Sequence, residues 1–346
     1  MKRFFKSVMF SFLISLLLIA ILIILVDPFI HYHAPIGKWA AVETDERSAL
    51  IGVAKNIDYD TALIGSSMSE NFKESWFEDG HFGSNCVKLC LQGAHFSDYD
   101  LLLAEAEKQK DLKNIIFSMD TYLLTNTPSE YPVTIPNYLS NDRFSDDVYY
   151  LFNKDVLLHF LPRFIFTNRT EKYSADNAYC WAKNYVFSKN QALGIYRTQR
   201  TETIEPEKNY DTFLENSDVF LESIIPYIEN NPDVTFYFYS SPYSILFWDD
   251  SYRHGNTAAE ITALIYVYQK LLEYENVRVF YFQNDTDIIT NLDNYRDYSH
   301  FSQDINYLMY ESMRDGTYEL TKENCYDTLI AMYEYATHYD YESIFR

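Results

Sequence analysis

A chain of 346 residues can form one large domain or two small ones, and 47% hydrophobic with 23% charged residues sets it apart from disordered sequences. The net charge is −22 (28 basic against 50 acidic side chains), with basic residues clustered only at the extreme N-terminus. This argues against a nucleic-acid partner, which needs a basic face, and a polyanionic acceptor would need a local basic pocket. The 32 Tyr and 25 Phe suit aromatic-rich packing first and a carbohydrate-facing groove second.

Residues 8–26 are an uncharged apolar run, close to the roughly 20 residues a helix needs to span a bilayer. Lys2, Arg3 and Lys6 precede it and Asp27-Pro28 ends it, so residues 1–27 read as a cytoplasmic tip and membrane anchor. The positive charges keep the N-terminus cytoplasmic and place the rest of the chain outside the cell membrane. The run is longer than a cleaved signal's apolar core, and neither an A-x-A site nor a lipobox cysteine follows it, so an uncleaved anchor is expected. Residues 28–45 read as a juxtamembrane linker. His31 and His33 within it lack the neighbours that would complete a metal site.

The remainder, 46–346, is expected to be an α/β domain. A helix over 46–56 leads to a strand at 61–64 that runs into Gly65-Ser66-Ser67. A second strand, 86–91, ends at Gln92-Gly93, and a helix at 97–109 has a 3.6-residue apolar period. A third strand, 114–119, ends at Asp120. Strands at 234–239 and 277–282 alternate with helices at 218–230 and 258–274, and helices 303–314 and 321–339 close the chain. Short strands alternating with helices predict a parallel sheet covered on both faces. The alternation stops over 125–216, with one weak helical stretch at 146–161 that Ser145 would cap. Such an interval is expected to be a folded insertion, a lid or substrate subdomain over the sheet's C-terminal edge. Cys86 and Cys90 share a strand, about 13 Å apart at 3.3 Å per residue, too far to bridge. Buried free thiols are expected for these two and for Cys180 and Cys325.

In open parallel sheets the working crevice lies beyond the strands' carboxyl ends. Ser67 falls there, where it is expected to open a helix whose N-terminus would favour an oxyanion. Ser67-x-x-Glu70 is equally a capping-box pattern. Asp297-Tyr-Ser-His300 lies far along the chain. Its spacing of three lets the carboxylate fix the imidazole tautomer and leaves Nε2 free to take a proton from serine. An acidic turn with an exposed histidine is the alternative for that motif alone. Tyr243 and Trp248, after the fourth strand, and His95, two residues beyond Gly93, are candidates to line the same crevice.

Taken together, these motifs resemble the SGNH/GDSL hydrolase superfamily, in the Gly-Ser-Ser form of its membrane-anchored bacterial cell-surface members. The likeness in layout covers nearly the whole domain outside the membrane. It implies a three-layer α/β/α sandwich with a short, flavodoxin-like parallel sheet. It further implies Ser67 as nucleophile, His300 as base, Asp297 as its partner, and Gly93 as a backbone oxyanion donor. No cofactor or metal is implied. The family's third block supplies an oxyanion-binding asparagine, and the matching position here is Asp120. An ionised carboxylate only accepts hydrogen bonds. Either the donor lies elsewhere or the hole reduces to the Ser67 and Gly93 N–H groups, and one lost donor typically costs about 10²–10³ in rate. The resemblance implies an esterase or acyltransferase acting on an O-acyl group of a cell-envelope polysaccharide or teichoic acid, with an integral-membrane O-acyltransferase as partner. Two rivals stand beside it. One is an inactive glycan-binding or assembly protein, favoured by Asp120. The other is a membrane-proximal lipase or thioesterase with an apolar acyl channel within 125–215.

Overall fold

The computed structural model describes residues 1–37, 39, 45–125, 133–170 and 175–346. Parts of the expected linker (38, 40–44) and of the expected insertion (126–132, 171–174) lie outside the described residues. The chain divides into two compact units, one of Met1–Asp58 with Val133–Ala178 and one of Tyr59–Pro132 with Tyr179–Arg346. The interval 125–216, expected as one insertion, is therefore shared between them, and 133–178 groups with the N-terminal helices and not with the sheet.

In the first unit, α1 (Lys2–Val26) contains an 18-residue stretch of mean hydropathy 3.2 and is long and apolar enough to cross a membrane. Asp27 ends it in the left-handed region at φ 43°. The Asp27 carboxylate accepts the N–H groups of His31 (3.0 Å), Tyr32 (2.7 Å) and His33 (3.1 Å) and the Tyr150 hydroxyl (2.8 Å). The start of the expected linker is thereby an ordered turn. Helix α2 (Glu46–Asn56) lies so close to this turn that a Cβ at Gly52 would collide with the carbonyl oxygens of Phe29 and Ile30. The continuous helix expected over 146–161 is broken. A 3₁₀ turn (Phe144–Asp147), one α turn (Val148–Leu151) and a π turn (Val156–Phe160) precede a helix at Leu161–Thr170. Ser145 caps nothing and bonds to Asp146 Oδ1, while Asn153 Oδ1 accepts the Asp155 N–H, a local turn that competes with the helical ladder.

The second unit is a mixed α/β structure around one six-stranded sheet of order β2-β1-β3-β4-β5-β6. The strands are β1 (Thr61–Gly65), β2 (Cys86–Cys90), β3 (Asn114–Ser118), β4 (Thr235–Ser240), β5 (Val277–Tyr281) and β6 (Glu319–Leu320). The first five are parallel and β6 is antiparallel to β5. Nearly every strand residue is buried, which is why the strands read as short, mostly apolar runs, interrupted by Lys88 in β2 and Arg278 in β5. Two-residue β6 has no sequence period. The Arg278 guanidinium holds it by a two-pronged pair with Glu319 (2.7 and 2.6 Å).

Four helices around the sheet are α3 (Phe96–Ala106), α4 (Asp211–Asn230), α5 (Ile245–Arg253) and α6 (Thr257–Leu271), followed by α7 (Gln303–Asp315) and α8 (Cys325–His338). Helix α4 begins seven residues before the expected 218. Its first two turns bury the polar Asn216 and Ser217, with Ser217 Oγ donating to Phe213 O (2.7 Å) and Asn216 to Leu124 O (3.2 Å). Helix α5 was not expected; Ser244 starts it by accepting the Leu246 N–H (3.2 Å). Much of the aromatic content is core. Phe77 packs on Phe72, Phe82 and Tyr310 with ring centres 5.5, 5.0 and 5.1 Å away, and Phe82 meets Tyr237 of β4 at 5.2 Å. Losing a buried ring of this kind costs about 3–5 kcal/mol. All four cysteines are buried and free.

The strand order reverses between β1 and β3: the chain steps from β1 to β2 on one side and from β3 through β5 on the other. A reversal of this kind opens a crevice at the strands' carboxyl ends.

Candidate active site

Gly65 ends β1 where a side chain cannot fit, since a Cβ would collide with Ser69 Oγ and Ser118 Cβ. The segment that follows is a series of tight turns, with Ser69 N–H on Ser66 O (3.0 Å) and Phe72 N–H on Ser69 O (3.0 Å). The helix expected to open at Ser67 is absent, so no helix dipole assists there. With no helix to cap, Ser67 Oγ instead lies 2.9 Å from His300 Nε2, and Glu70 accepts from Gln92 (3.0 Å). The turns are fixed by distant parts of the chain: Asn306 donates to Met68 O (2.9 Å), Gln303 donates to Asn71 O (2.8 Å), and Asn71 Oδ1, within the turns, accepts the Ala182 N–H (3.0 Å).

His300 comes from the loop between β5 and α7. A one-residue bridge pairs Tyr295 with Phe301, and Arg296 N–H bonds to His300 O (3.0 Å), so the loop is a closed hairpin. The Tyr295 hydroxyl on Pro242 O (2.7 Å) and Ser244 Oγ on Tyr298 O (2.6 Å) tie it to the end of β4. Asp297 folds back within it. Its Oδ1 accepts the N–H groups of Ser299 (3.0 Å) and His300 (2.8 Å), and both carboxylate oxygens lie 3.0 Å from His300 Nδ1. Arg296 adds an ion pair at 3.1 Å. Burial pushes the Asp297 carboxyl up, but the His300 ring and the two backbone N–H groups outweigh it and hold the carboxyl down at about 2. An ionised carboxylate only accepts, so Nδ1 carries the proton and Nε2 is left to receive the Ser67 hydroxyl.

Two residues that sequence patterns did not single out complete this frame. The Trp181 indole N–H donates to Ser67 O (2.8 Å), and its ring stands edge-on to His300 at 5.3 Å. The Arg296 guanidinium lies over Tyr185 at 3.8 Å and Trp181 at 5.4 Å. Trp181 sits in a stretch without periodicity. The one available signal for Arg296 was its place beside Asp297.

A cavity of about 200 Å³ opens at Ser67 and His300 and is also walled by Gly93, Asp120 and Tyr243. Tyr122, Phe247 and Tyr298 give it aromatic sides. Gly93 is in the left-handed region at φ 59°, with open space where a side chain would project. Tyr243 lines the cavity, yet its hydroxyl is spent on Asp120 Oδ1 (2.8 Å), which also accepts from Ser118 (3.2 Å). Asp120 is 1% exposed, and its Oδ2 is buried without a hydrogen-bond partner. Burial outweighs the Ser66, Tyr243 and Ser118 hydroxyls and raises its carboxyl above the ordinary aspartate value. His95 is not in the cavity wall. It is the N-cap of α3, in a capping box whose return bond runs from its own N–H to Asp98 (3.0 Å). Trp248 is likewise outside the wall, 1% exposed and edge-on to Phe247 at 5.5 Å. Among the described residues no group of three or more His, Cys, Asp or Glu could hold a metal ion.

No protein-family model, curated protein or solved structure matches the chain.

Proposed function

We propose that this chain is a membrane-anchored, extracytoplasmic serine esterase or acyltransferase of the SGNH type. The observation that carries the reading is the Ser67–His300–Asp297 relay, in which residues 233 positions apart meet at 2.9 Å beside an open cavity. His300 Nε2 takes the Ser67 proton as Oγ attacks an ester carbonyl, and Asp297 stabilises the imidazolium. The tetrahedral intermediate collapses as His300 returns that proton to the leaving alcohol, and water or a sugar hydroxyl then releases the acyl group by the reverse sequence. The backbone N–H groups of Ser67 and Gly93 are the oxyanion donors in this scheme. The apolar helix α1, preceded by Lys2, Arg3 and Lys6, supports a single-pass anchor with the N-terminus cytoplasmic. An anchor and a site of this chemistry suit an O-acyl group on a cell-envelope polysaccharide or teichoic acid, with an integral-membrane O-acyltransferase as donor or partner.

Cavity size favours this over a lipase or thioesterase. About 200 Å³ is below the roughly 300–1,000 Å³ of sites that bury drug-sized ligands, and suits an acetyl-sized group. Among the described residues, none of 125–215 lines it. A chain-length series of nitrophenyl esters tests the reading. Turnover should be highest with acetate, fall steeply by octanoate, and vanish in Ser67→Ala. Preference for octanoate would transfer the assignment to a lipase, and equal turnover by Ser67→Ala would end it.

A further inference from the structure

The family pattern places an amide donor where this chain has Asp120, and the surroundings of that carboxyl show how it can serve. Asp120 follows β3 directly and lines the same cavity as Ser67, Gly93 and His300. Its two oxygens are not equivalent. Oδ1 is saturated as an acceptor by Tyr243 and Ser118, whereas Oδ2 is buried and unpartnered. No lysine or arginine pairs with either oxygen among the described residues. The groups facing it are the Ser66 hydroxyl, the phenols of Tyr99, Tyr122, Tyr239, Tyr243 and Tyr268, and the His300 ring. A desolvated anion with a bare oxygen is the costlier form here, whereas a protonated carboxyl keeps Oδ1 as its acceptor and turns Oδ2 into a donor.

The geometry points to Asp120 as a neutral carboxylic acid whose Oδ2–H is donated to the oxyanion formed on attack by Ser67, as a third donor beside the Ser67 and Gly93 N–H groups. This rests on the serine-hydrolase reading above. The proton stays on Asp120 throughout, so the step adds a hydrogen bond to the transition state and changes no proton count. The expected obstacle, a carboxylate that can only accept hydrogen bonds, disappears in the neutral form. Burial, which raises the group, supports it. A buried carboxylic acid kept neutral to act as a donor has precedent in other enzyme chemistry.

Asp120→Asn separates the possibilities. The Tyr243 and Ser118 hydroxyls fix the amide oxygen at the Oδ1 position, so the NH₂ group falls where Oδ2–H was. With the full-length protein in detergent and nitrophenyl acetate as substrate, Asp120→Asn should retain at least about a tenth of wild-type kcat. Asp120→Ala should lose about 10²–10³-fold in kcat with KM little changed. Wild-type kcat should decline on the alkaline side as Asp120 ionises, and Asp120→Asn should lack that decline. An Asn variant as impaired as Ala, or a wild type without an alkaline decline that Asn abolishes, would overturn the assignment. The wild-type pH profile keeps the test sharp even if the Ala variant fails to fold. Phosphonate labelling of Ser67 in the wild type is the separate check. If it occurs while the Asn result fails, only the role of Asp120 falls; if wild type neither labels nor turns over ester, the serine-hydrolase reading falls with it.

Discussion

Two buried aspartates serve the site from two stretches of chain, Asp120 in the cavity wall and Asp297 behind His300, and their surroundings shift their carboxyls in opposite directions. Asp297, in the hairpin before α7, is supplied with two backbone N–H groups, an imidazole N–H and a guanidinium, and its carboxyl is held at about 2. Asp120, at the end of β3, receives hydroxyls alone, and its carboxyl is pushed up. Both are less than a tenth exposed, so burial does not separate them. The supply of N–H donors and positive charge does, because these stabilise the anion enough to offset desolvation while neutral hydroxyls do not. One carboxylate then orients a base, while the other, in the role proposed above, keeps its proton and donates a hydrogen bond.

The contrast can be broken most severely at the relay itself. Ser67→Ala or His300→Ala should lower kcat by about 10⁶-fold, the scale seen when either member of a serine–histidine pair is removed, measured on a short nitrophenyl ester. Asp297→Asn should cost about 10⁴-fold, since the amide no longer enforces the productive tautomer. A loss below tenfold would mean that Asp297 is structural.

Stability against pH sharpens the same contrast, with opposite signs at the two sites. Asp297 has a depressed carboxyl, so its contribution of about 2 kcal/mol is fully present above its ordinary value of 3.8 and is lost as pH falls to about 2. Asp120 is raised, so its contribution is present below 3.8 and is lost as pH rises through its folded value. Denaturant unfolding from pH 2 to 9 should show Asp297→Asn flattening the acid limb and Asp120→Asn flattening the loss above pH 4. An unchanged acid limb in Asp297→Asn would contradict the first assignment. The smallest effect is expected at Trp181→Phe, which keeps the edge contact with His300 and removes the bond to Ser67 O. A loss of roughly 1 kcal/mol, about fivefold in kcat, is expected, and no change would reduce Trp181 to packing.

The five parallel strands were legible because each is buried on both faces and reads as an apolar run ended by a residue that turns the chain: Gly65 after β1, Gly93 near the end of β2, Asp120 after β3. Ser67, Asp297 and His300 were legible as motifs at such ends. What escaped depends on tertiary contacts. The turns over 66–72 are fixed by contacts with Asn306, Gln303 and Ala182, and no local signal distinguishes them from a helix start. Trp181 comes from a stretch with no period, and α5 hides in a continuation of the apolar pattern of β4. The helix expected over 146–161 has a suitable period, but Asn153 interrupts it. The upward shift of Asp120 was beyond the sequence because it comes from burial by elements distant in the chain.

The central claim is that Ser67 is a nucleophile activated by His300. Intact-mass and peptide mass spectrometry of the full-length protein after treatment with a fluorophosphonate tests it most directly. The account predicts one adduct, located on Ser67, absent from Ser67→Ala and slowed by orders of magnitude in Asp297→Asn. A folded wild type that takes up no phosphonate, or an adduct that persists in Ser67→Ala, would contradict it.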